Sequence, residues 1–295
     1  MSGVSHFTPA SLWRAFFVLA FVALAVRLPA APPNFPTAPD LAQVGKLDAA
    51  TARALLEKFR DSAIPGQYFL EFELHALPRR GDERVYRGQL WGSRNDTGAI
   101  TRVQLTDAAG LSHRWLLQNG AKSAVWGLVN DQPVPLAEAA VLAPLIPGVE
   151  VSAFDLLMPY LYWPQSGLPR IERIRGRPAH AYVFQPPAAF VQAHPEAAFV
   201  RAYLDTQFNA LMQAERCAAN GQVLATLSLG ELKKVNEQWM LKSVDFRNET
   251  TRDKTRLLVT AVALNLDLSP ALFEPARLAE DVAPPRPERI MRLVP

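Results

Sequence analysis

Glu71 and Glu73 are the first residues in this 295-residue chain that could do chemistry. Two residues apart in a strand, they project from one face, and paired carboxylates on one face are what glycoside hydrolysis requires. The same spacing is also that of a solvated strand face, because Tyr68, Leu70, Phe72 and Leu74 alternate with Glu71, Glu73 and His75. The histidines, His6, His75, His113, His180 and His194, show no metal-ligand spacing. Arg170, Arg173, Arg175 and Arg177 crowd one hairpin. They suit an anionic lipid surface or a partner protein, and equally a charged edge that discourages strand pairing. No glycine-rich phosphate loop or dinucleotide fingerprint occurs, and no nucleophile elbow frames a serine. The expectation is a protein that is not an enzyme, with no cofactor, no metal and no nucleic-acid partner.

What remains to explain is apolar, and it sits on strands. The stretch 211–268 reads as four strands, Leu211–Ala218, Gln222–Leu229, Gln238–Asn248 and Thr255–Leu268, with Asn220-Gly221 at the first joint as a hairpin signal. The last strand is apolar on both faces: Leu258, Val262, Leu264, Leu266 and Leu268 fall on one side by strict alternation, Leu257, Val259, Ala261 and Ala263 on the other. Such a strand must be covered twice, or must line an apolar hollow with one face. Upstream, Asp48 caps a helix through Phe59. Strands follow near 68–74, 85–93, 100–106, 113–118 and 123–129, then near 170–175, 179–185 and 199–205. Without crossover helices the sheet is antiparallel, of about twelve strands. Between them, Phe154-Asp-Leu-Leu-Met-Pro-Tyr-Leu-Tyr-Trp163 reads as a short helix or two broken at Pro159, a covering element for the sheet.

The candidate binding residues follow. Tyr68, Leu70, Phe72, Leu74, Trp239, Leu241, Leu258, Val262, Leu264 and Leu266 pave one curved face as a cavity wall, and Phe154, Leu157, Leu161 and Trp163 form a lid over it. A packed core would have the same composition, so these residue types leave cavity and core both open.

The two ends carry the address. Arg14, an apolar run from Ala15 to Val26 and small residues at Ala30-Ala31 read as an export signal over residues 1–31, cleaved or retained as an anchor. Removing it takes away Arg14 and Arg27 and no acid, lowering the formal charge from +3 to +1, so the basic pI implies little about nucleic acid. Cys217 is the only cysteine, so no disulfide staples the fold. A Pro-rich linker spans 32–47, the main domain 48–280, and an irregular tail 281–295.

Several short motifs, in order, resemble the outer-membrane lipoprotein-sorting protein family, the LolA-like periplasmic carriers. They are Phe154-Asp-Leu-Leu with Leu161-Tyr-Trp-Pro164, Gly176-Arg-Pro178 before Tyr182-Val-Phe, Val200-Arg-Ala-Tyr-Leu-Asp205, Leu211-Met-Gln-Ala-Glu215 with Gly221, Gln238-Trp-Met-Leu-Lys242, Arg252-Asp-Lys-Thr255 and Leu272-Phe273. The resemblance covers roughly Asp48 to Leu278. It implies a curved antiparallel sheet, an incomplete barrel with helices over its concave face, and binding of acyl chains. The implied setting is the periplasm of a Gram-negative-type bacterium. The implied partners are lipoprotein acyl chains or other lipid, an inner-membrane release complex and an outer-membrane acceptor, with the protein itself a monomer. Stress-sensing relatives bind a partner protein instead of shuttling lipid. On the signal reading, amino-terminal sequencing of the protein from its native host begins close to Pro32; an intact Met1 or Ser2 on membrane-bound protein would establish the anchor.

Overall fold

The computed structural model describes residues 46–62 and 64–293; the expected signal and most of the linker lie outside them. Helix α1 (Ala49–Asp61) begins at Asp48, whose carboxylate accepts the Thr51 N–H at 2.8 Å, and buries Ala52, Leu56 and Phe59. Strands β1 (Gln67–Leu77), β2 (Arg84–Asn95), β3 (Gly98–Thr106), β4 (Ser112–Gln118), β5 (Ala124–Val129) and β6 (Gln132–Pro135) form a meander. Then come the short helix α2 (Ala153–Leu157), a 3-10 turn at Pro159–Tyr162, β7 (Arg170–Ile174), β8 (Arg177–Phe184), α3 (Ala188–Ala193), β9 (Phe199–Asp205), β10 (Leu211–Cys217) and β11 (Val223–Leu229). The chain continues through β12 (Leu232–Val235), β13 (Gln238–Leu241), β14 (Ser243–Asn248), β15 (Lys254–Leu266) and β16 (Met291–Arg292).

The meander joins its two halves through β1 and β15, giving the order β6-β5-β4-β3-β2-β1-β15-β14-β11-β10-β9-β8-β7, with β16 added to β15. The result is one curved antiparallel sheet of 14 strands that does not close, with β6 and β7 as its edges. Pro133 and Pro135 withdraw backbone donors from the β6 edge, which is why the sequence hides that strand. Tight turns at Asn130-Asp131 and Asn236-Glu237, all at φ near +50° to +60°, close the β5–β6 and β12–β13 hairpins. The expected strand Gln238–Asn248 is broken at Lys242, where β12 and β13 bend out of the sheet as a separate two-stranded ribbon. Trp239 and Leu241 ride on that ribbon, and both still pack against the main core.

Strict alternation along β15 fails twice. Opposite β1, the register places Phe72 against Val259 but Glu71 against Ala261, so Thr260 is an extra residue. A second shift falls between Phe69, opposite Ala263, and Gln67, opposite Leu266; it contains Asn265 at φ 52°. Each bulge moves the following side chains to the opposite face. Leu257, Val259, Val262 and Leu264 therefore share the inner face, under α1 and α2. Leu258 is half-buried on the outer face, opposite Glu73 and Ser243, and Leu266 packs into a second, outer core. Both leave the set of inner wall residues expected from the sequence.

The two faces carry separate cores. The inner one unites Tyr68, Leu70, Phe72 and Leu74 with α1, α2 and strands from both halves of the sheet. Gly88 and Gly92 of β2 let the Phe72 and Tyr68 rings lie flat on the backbone opposite; a Cβ at either would meet its ring at 2.3 and 2.1 Å. The outer core gathers Phe69, Trp91, Ile100, Leu116 and Ala263 beneath Phe273 and Leu278. Those last two belong to a strap, residues 268–293, that crosses the outer face and returns to the sheet as β16. The segment expected to be an irregular tail is thus its final portion, mostly without regular structure but paired to β15 at its end.

Arg102 holds the strap down. It is 1% exposed on the outer face of β3. Its guanidinium donates to the carbonyls of Leu272 at 3.3 Å, Arg277 at 3.0 Å, Leu278 at 2.9 Å and, closer still, Glu280. Burial and the neighbouring Arg114 pull its pKa down to about 10, which leaves it charged at neutral pH. Arg114 bonds the Ala279 carbonyl and Asp281, and Arg292 pairs with Glu71. Replacing Arg102 by Met strips buried carbonyls of a charged donor, so we expect a loss of about 3–5 kcal/mol in urea unfolding and new protease cuts within 268–293. A wild-type midpoint would mean that apolar contacts alone secure the strap.

Candidate functional site

Along β1, outward alternation places Glu71 and Glu73 on the outer face, as the solvated reading expects, and there each has a cationic partner. Glu71 meets Arg292; Glu73 takes Arg87 Nε at 3.4 Å and His75 Nε2 at 3.2 Å. They border an open polar groove of about 460 Å³ with Gln89, Gln104 and Thr106. A glycosidase needs one carboxyl kept protonated and one free carboxylate. Here both are engaged with cations, which is structural pairing. Of the clustered arginines, Arg177 on β8 pairs with Asp205 at the end of β9 at 2.8 Å, and Arg175 in the β7–β8 turn donates to the carbonyl of Leu229 on β11 at 2.5 Å. Among the described residues no group of three or more His, Cys, Asp or Glu is placed to hold a metal.

The inner face is where the expected wall and lid meet. Phe154, Leu157 and Leu161 are buried and Trp163 is partly buried, all against the core that contains Tyr68, Leu70, Phe72, Leu74, Leu241, Val262 and Leu264. The covering segment forms because Ser152 and Asp155 make a reciprocal cap: Asp155 accepts from Ser152 N–H at 2.9 Å and from its hydroxyl at 2.6 Å, and Ser152 Oγ accepts Asp155 N–H at 3.3 Å. Met158 ends α2 at φ 48°, ψ 52°, a left-handed conformation that costs a side-chain-bearing residue about 1 kcal/mol, and Pro159 follows at once. The strained joint divides the cover into two rigid pieces. Their rings form one cluster: Phe154 lies 5.7 Å from Tyr160, 5.8 Å from Trp163 and 5.4 Å from Phe190 of α3, and Trp163 lies 4.9 Å from Phe190.

Two ties secure the cover that residue patterns did not reveal. Arg60, near the end of α1, donates Nε to the Leu161 carbonyl at 2.6 Å and stacks on the Tyr162 ring at 5.1 Å. Thr255 of β15 accepts the Glu150 N–H at 2.7 Å just before α2. In the sequence Arg60 was merely a basic residue in the last helical turn, and only its distance in space from Leu161 distinguishes it.

Among the described residues the inner face under the cover is closely packed. Leu258 and Leu266 apart, the expected wall residues share one core with the cover, and the hollow beneath α2 is small. It has a volume of about 20 Å³ and is lined by Phe154, Asp155, Tyr160, Val200, Ala214, Arg216 and Leu227 among others. Its polar groups are perturbed. Burial raises the Asp155 carboxyl above the usual range, against the opposing pull of Arg216 and the Ser152 bonds. Burial likewise raises Glu150. In both, burial works against the charged form at the rim of the cover.

Because the folded-state pKa of Asp155 is raised, its contribution to stability is greatest at acid pH, where it is protonated, and is lost as pH rises through the folded value. Asp155→Asn lacks this dependence. The stability difference, wild type minus variant, should therefore be larger at pH 4 than at pH 7 in urea unfolding. A difference independent of pH would mean that Asp155 titrates as it does in the unfolded chain.

No protein-family model matches this sequence, and no curated protein sequence matches it either. Solved structures do share its fold. A domain from Vibrio parahaemolyticus, described as an outer membrane lipoprotein-sorting protein, aligns at TM-score 0.61 and 14% identity over 73% of this chain and 92% of its own. A LolA superfamily protein from Nitrosomonas europaea aligns at 0.58 and 16% identity over 76% of this chain and 97% of its own. A DUF1329 family protein from Desulfovibrio piger aligns at 0.60 and 11% identity over 72% and 91%. The chain has the LolA-like fold, and at these identities the likeness is one of fold. No described helix is long and apolar enough to cross a membrane.

Proposed function

We propose that this protein is a periplasmic binding protein that holds the acyl chains of lipoproteins or lipids beneath the α2 cover and takes part in outer-membrane lipoprotein sorting. It works without catalysis and as a monomer, receiving cargo from an inner-membrane release complex and passing it to an outer-membrane acceptor. The observation that carries the reading is the cover itself. It is an aromatic-rich segment split at a strained Met158, seated on an apolar sheet face and tied by Arg60. The fold shared with lipoprotein-sorting and LolA superfamily structures supports the same reading.

A carrier faces a thermodynamic problem that such a cover solves. Each methylene kept from water is worth about 0.8 kcal/mol, so a ~16-carbon chain exposed to water costs roughly 13 kcal/mol. A permanently open apolar cavity would bind that chain too tightly to release it. A cover that fills the interior when empty makes opening costly, and that cost offsets cargo binding.

The filled interior also supports a second reading, in which the same fold binds a partner protein and never opens for lipid. Lipid copurifying with the protein from the periplasm favours the carrier; a stable protein complex with no lipid favours the partner reading.

The test uses the Arg60 tie. On the carrier reading, Arg60→Met weakens the closed form by about 1.5–3 kcal/mol, the worth of one charged hydrogen bond, so an acyl probe binds roughly 10–150-fold tighter. Hydrogen exchange within 154–163 should rise in the variant while β14 stays protected. Unchanged or weaker probe binding by a folded Arg60→Met protein would count against a cover that opens for cargo.

A further inference from the structure

The small hollow under α2 is polar where the rest of the inner face is apolar, and its donors are unsatisfied. Tyr160 is 2% exposed, and its buried hydroxyl has no hydrogen-bond partner. Arg216 reaches the same hollow from the inner face of β10, and its buried Nε is likewise without a partner. Leaving such groups unpaired is costly, about 1–3 kcal/mol for a buried donor and more for a charged one. An apolar neighbour would have served packing equally well: Phe154, Val200, Ala214, Ala225 and Leu227 form the apolar part of the lining, beside Asp155 and Glu215. About 20 Å³ is room for a single oxygen atom with its contacts. Two residues with unpaired donors lining space for one atom select an acceptor. Two carboxyls already lie in the lining, Asp155 held by Ser152 and Glu215 paired with Arg201 at 3.0 Å, so the hollow suits an oxygen carrying partial or single negative charge and not a multiply charged group.

Resting on the reading of this protein as an acyl-chain binder, we infer that Arg216 and Tyr160 form a subsite for the polar end of the cargo, donating hydrogen bonds to a carboxylate or ester carbonyl oxygen while the chain lies along the inner face. This places the head beside the cover and directs the tail toward Leu70, Phe72 and Leu264. It also makes the subsite a specificity element, because a chain without an acceptor at its end leaves both donors unpaired.

The test compares laurate with dodecane, the same chain with and without an acceptor head, as competitors of a fluorescent acyl probe on the full-length protein. Acetate and inorganic phosphate serve as headgroups without a chain. Variants Arg216→Gln and Tyr160→Phe are measured together with their melting curves. Tyr160→Phe removes only a hydroxyl that bonds nothing, so it folds as wild type and keeps the test valid if Arg216→Gln does not. The expected result is that laurate binding weakens about tenfold or more in Arg216→Gln and about threefold or more in Tyr160→Phe, the range for one lost charged or neutral hydrogen bond. Dodecane should change less than twofold. Equal laurate binding by all three proteins, or equal loss for laurate and dodecane, overturns the subsite while leaving acyl binding intact. Arg216-dependent binding of acetate or phosphate with no competition from laurate would make it a free-anion site and overturn the assignment to cargo. Failure of wild type to bind either chain removes the acyl reading and the subsite with it.

Discussion

The pairing of β1 with β15 is the constraint on which the rest of the structure depends. β1 and β15 lie side by side at the centre of the sheet and carry apolar side chains on both faces, Leu70, Phe72, Val262 and Leu264 inside and Phe69, Ala263 and Leu266 outside. Water can be excluded from a two-faced apolar sheet only by two separate covers. One cover is assembled from α1, α2 and α3 on the inner face, the other from the carboxy-terminal strap on the outer face. The bulges at Thr260 and Asn265 distribute the side chains of β15 between these layers. They give Val262 and Leu264 to the inner one and Leu266 to the outer.

The two covers are held by different means. The strap is secured by a buried arginine with several carbonyl partners and by further ties from Arg114, Gln67 and Arg292. The inner cover rests on aromatic packing, one reciprocal cap, one arginine on a single carbonyl and a strained residue at its middle. Dispersion and apolar contacts are not directional, so an aromatic cover can be lifted and reseated, whereas a carbonyl cage around a guanidinium has one geometry. The asymmetry suits an outer face that is structural and an inner face that changes state. On the function proposed above, the residues that would touch cargo are the ones packed against the cover.

The carboxyl groups on the two faces differ as well. Outside, carboxylates such as Glu71, Glu73 and Asp245 have cationic partners. Under the inner cover, Asp155 and Glu150 are desolvated, and Tyr160 and the Arg216 Nε are left without partners. Buried donors without partners also occur at the Arg102 and Arg114 Nε atoms beneath the strap, and what distinguishes Tyr160 and Arg216 is that both line one hollow beside α2.

Local physics was enough for much of the fold. Period-two alternation placed Tyr68, Leu70, Phe72 and Leu74 on the inner face and Glu71 and Glu73 outside. The cap at Asp48 located α1, and Pro159 located the break in the inner cover. These features depend on residues within a turn or a strand of one another, so one stretch of chain is sufficient to read them. What only the tertiary structure decided depends on register and on contacts between distant segments. A bulge is a mismatch between two strands, and nothing in β15 alone announces that Thr260 is an extra residue, so Leu258 and Leu266 could not be removed from the inner wall without β1 beside them. β6 hides behind two prolines because an edge strand has no need of the donors they lack. Arg60 and Arg102 are ordinary basic residues until Leu161, 101 positions away, and Leu278, 176 positions away, supply their carbonyls. Whether the apolar face is a cavity or a core was also beyond composition, since the same side chains line a hollow or fill it; only the position of the cover decides.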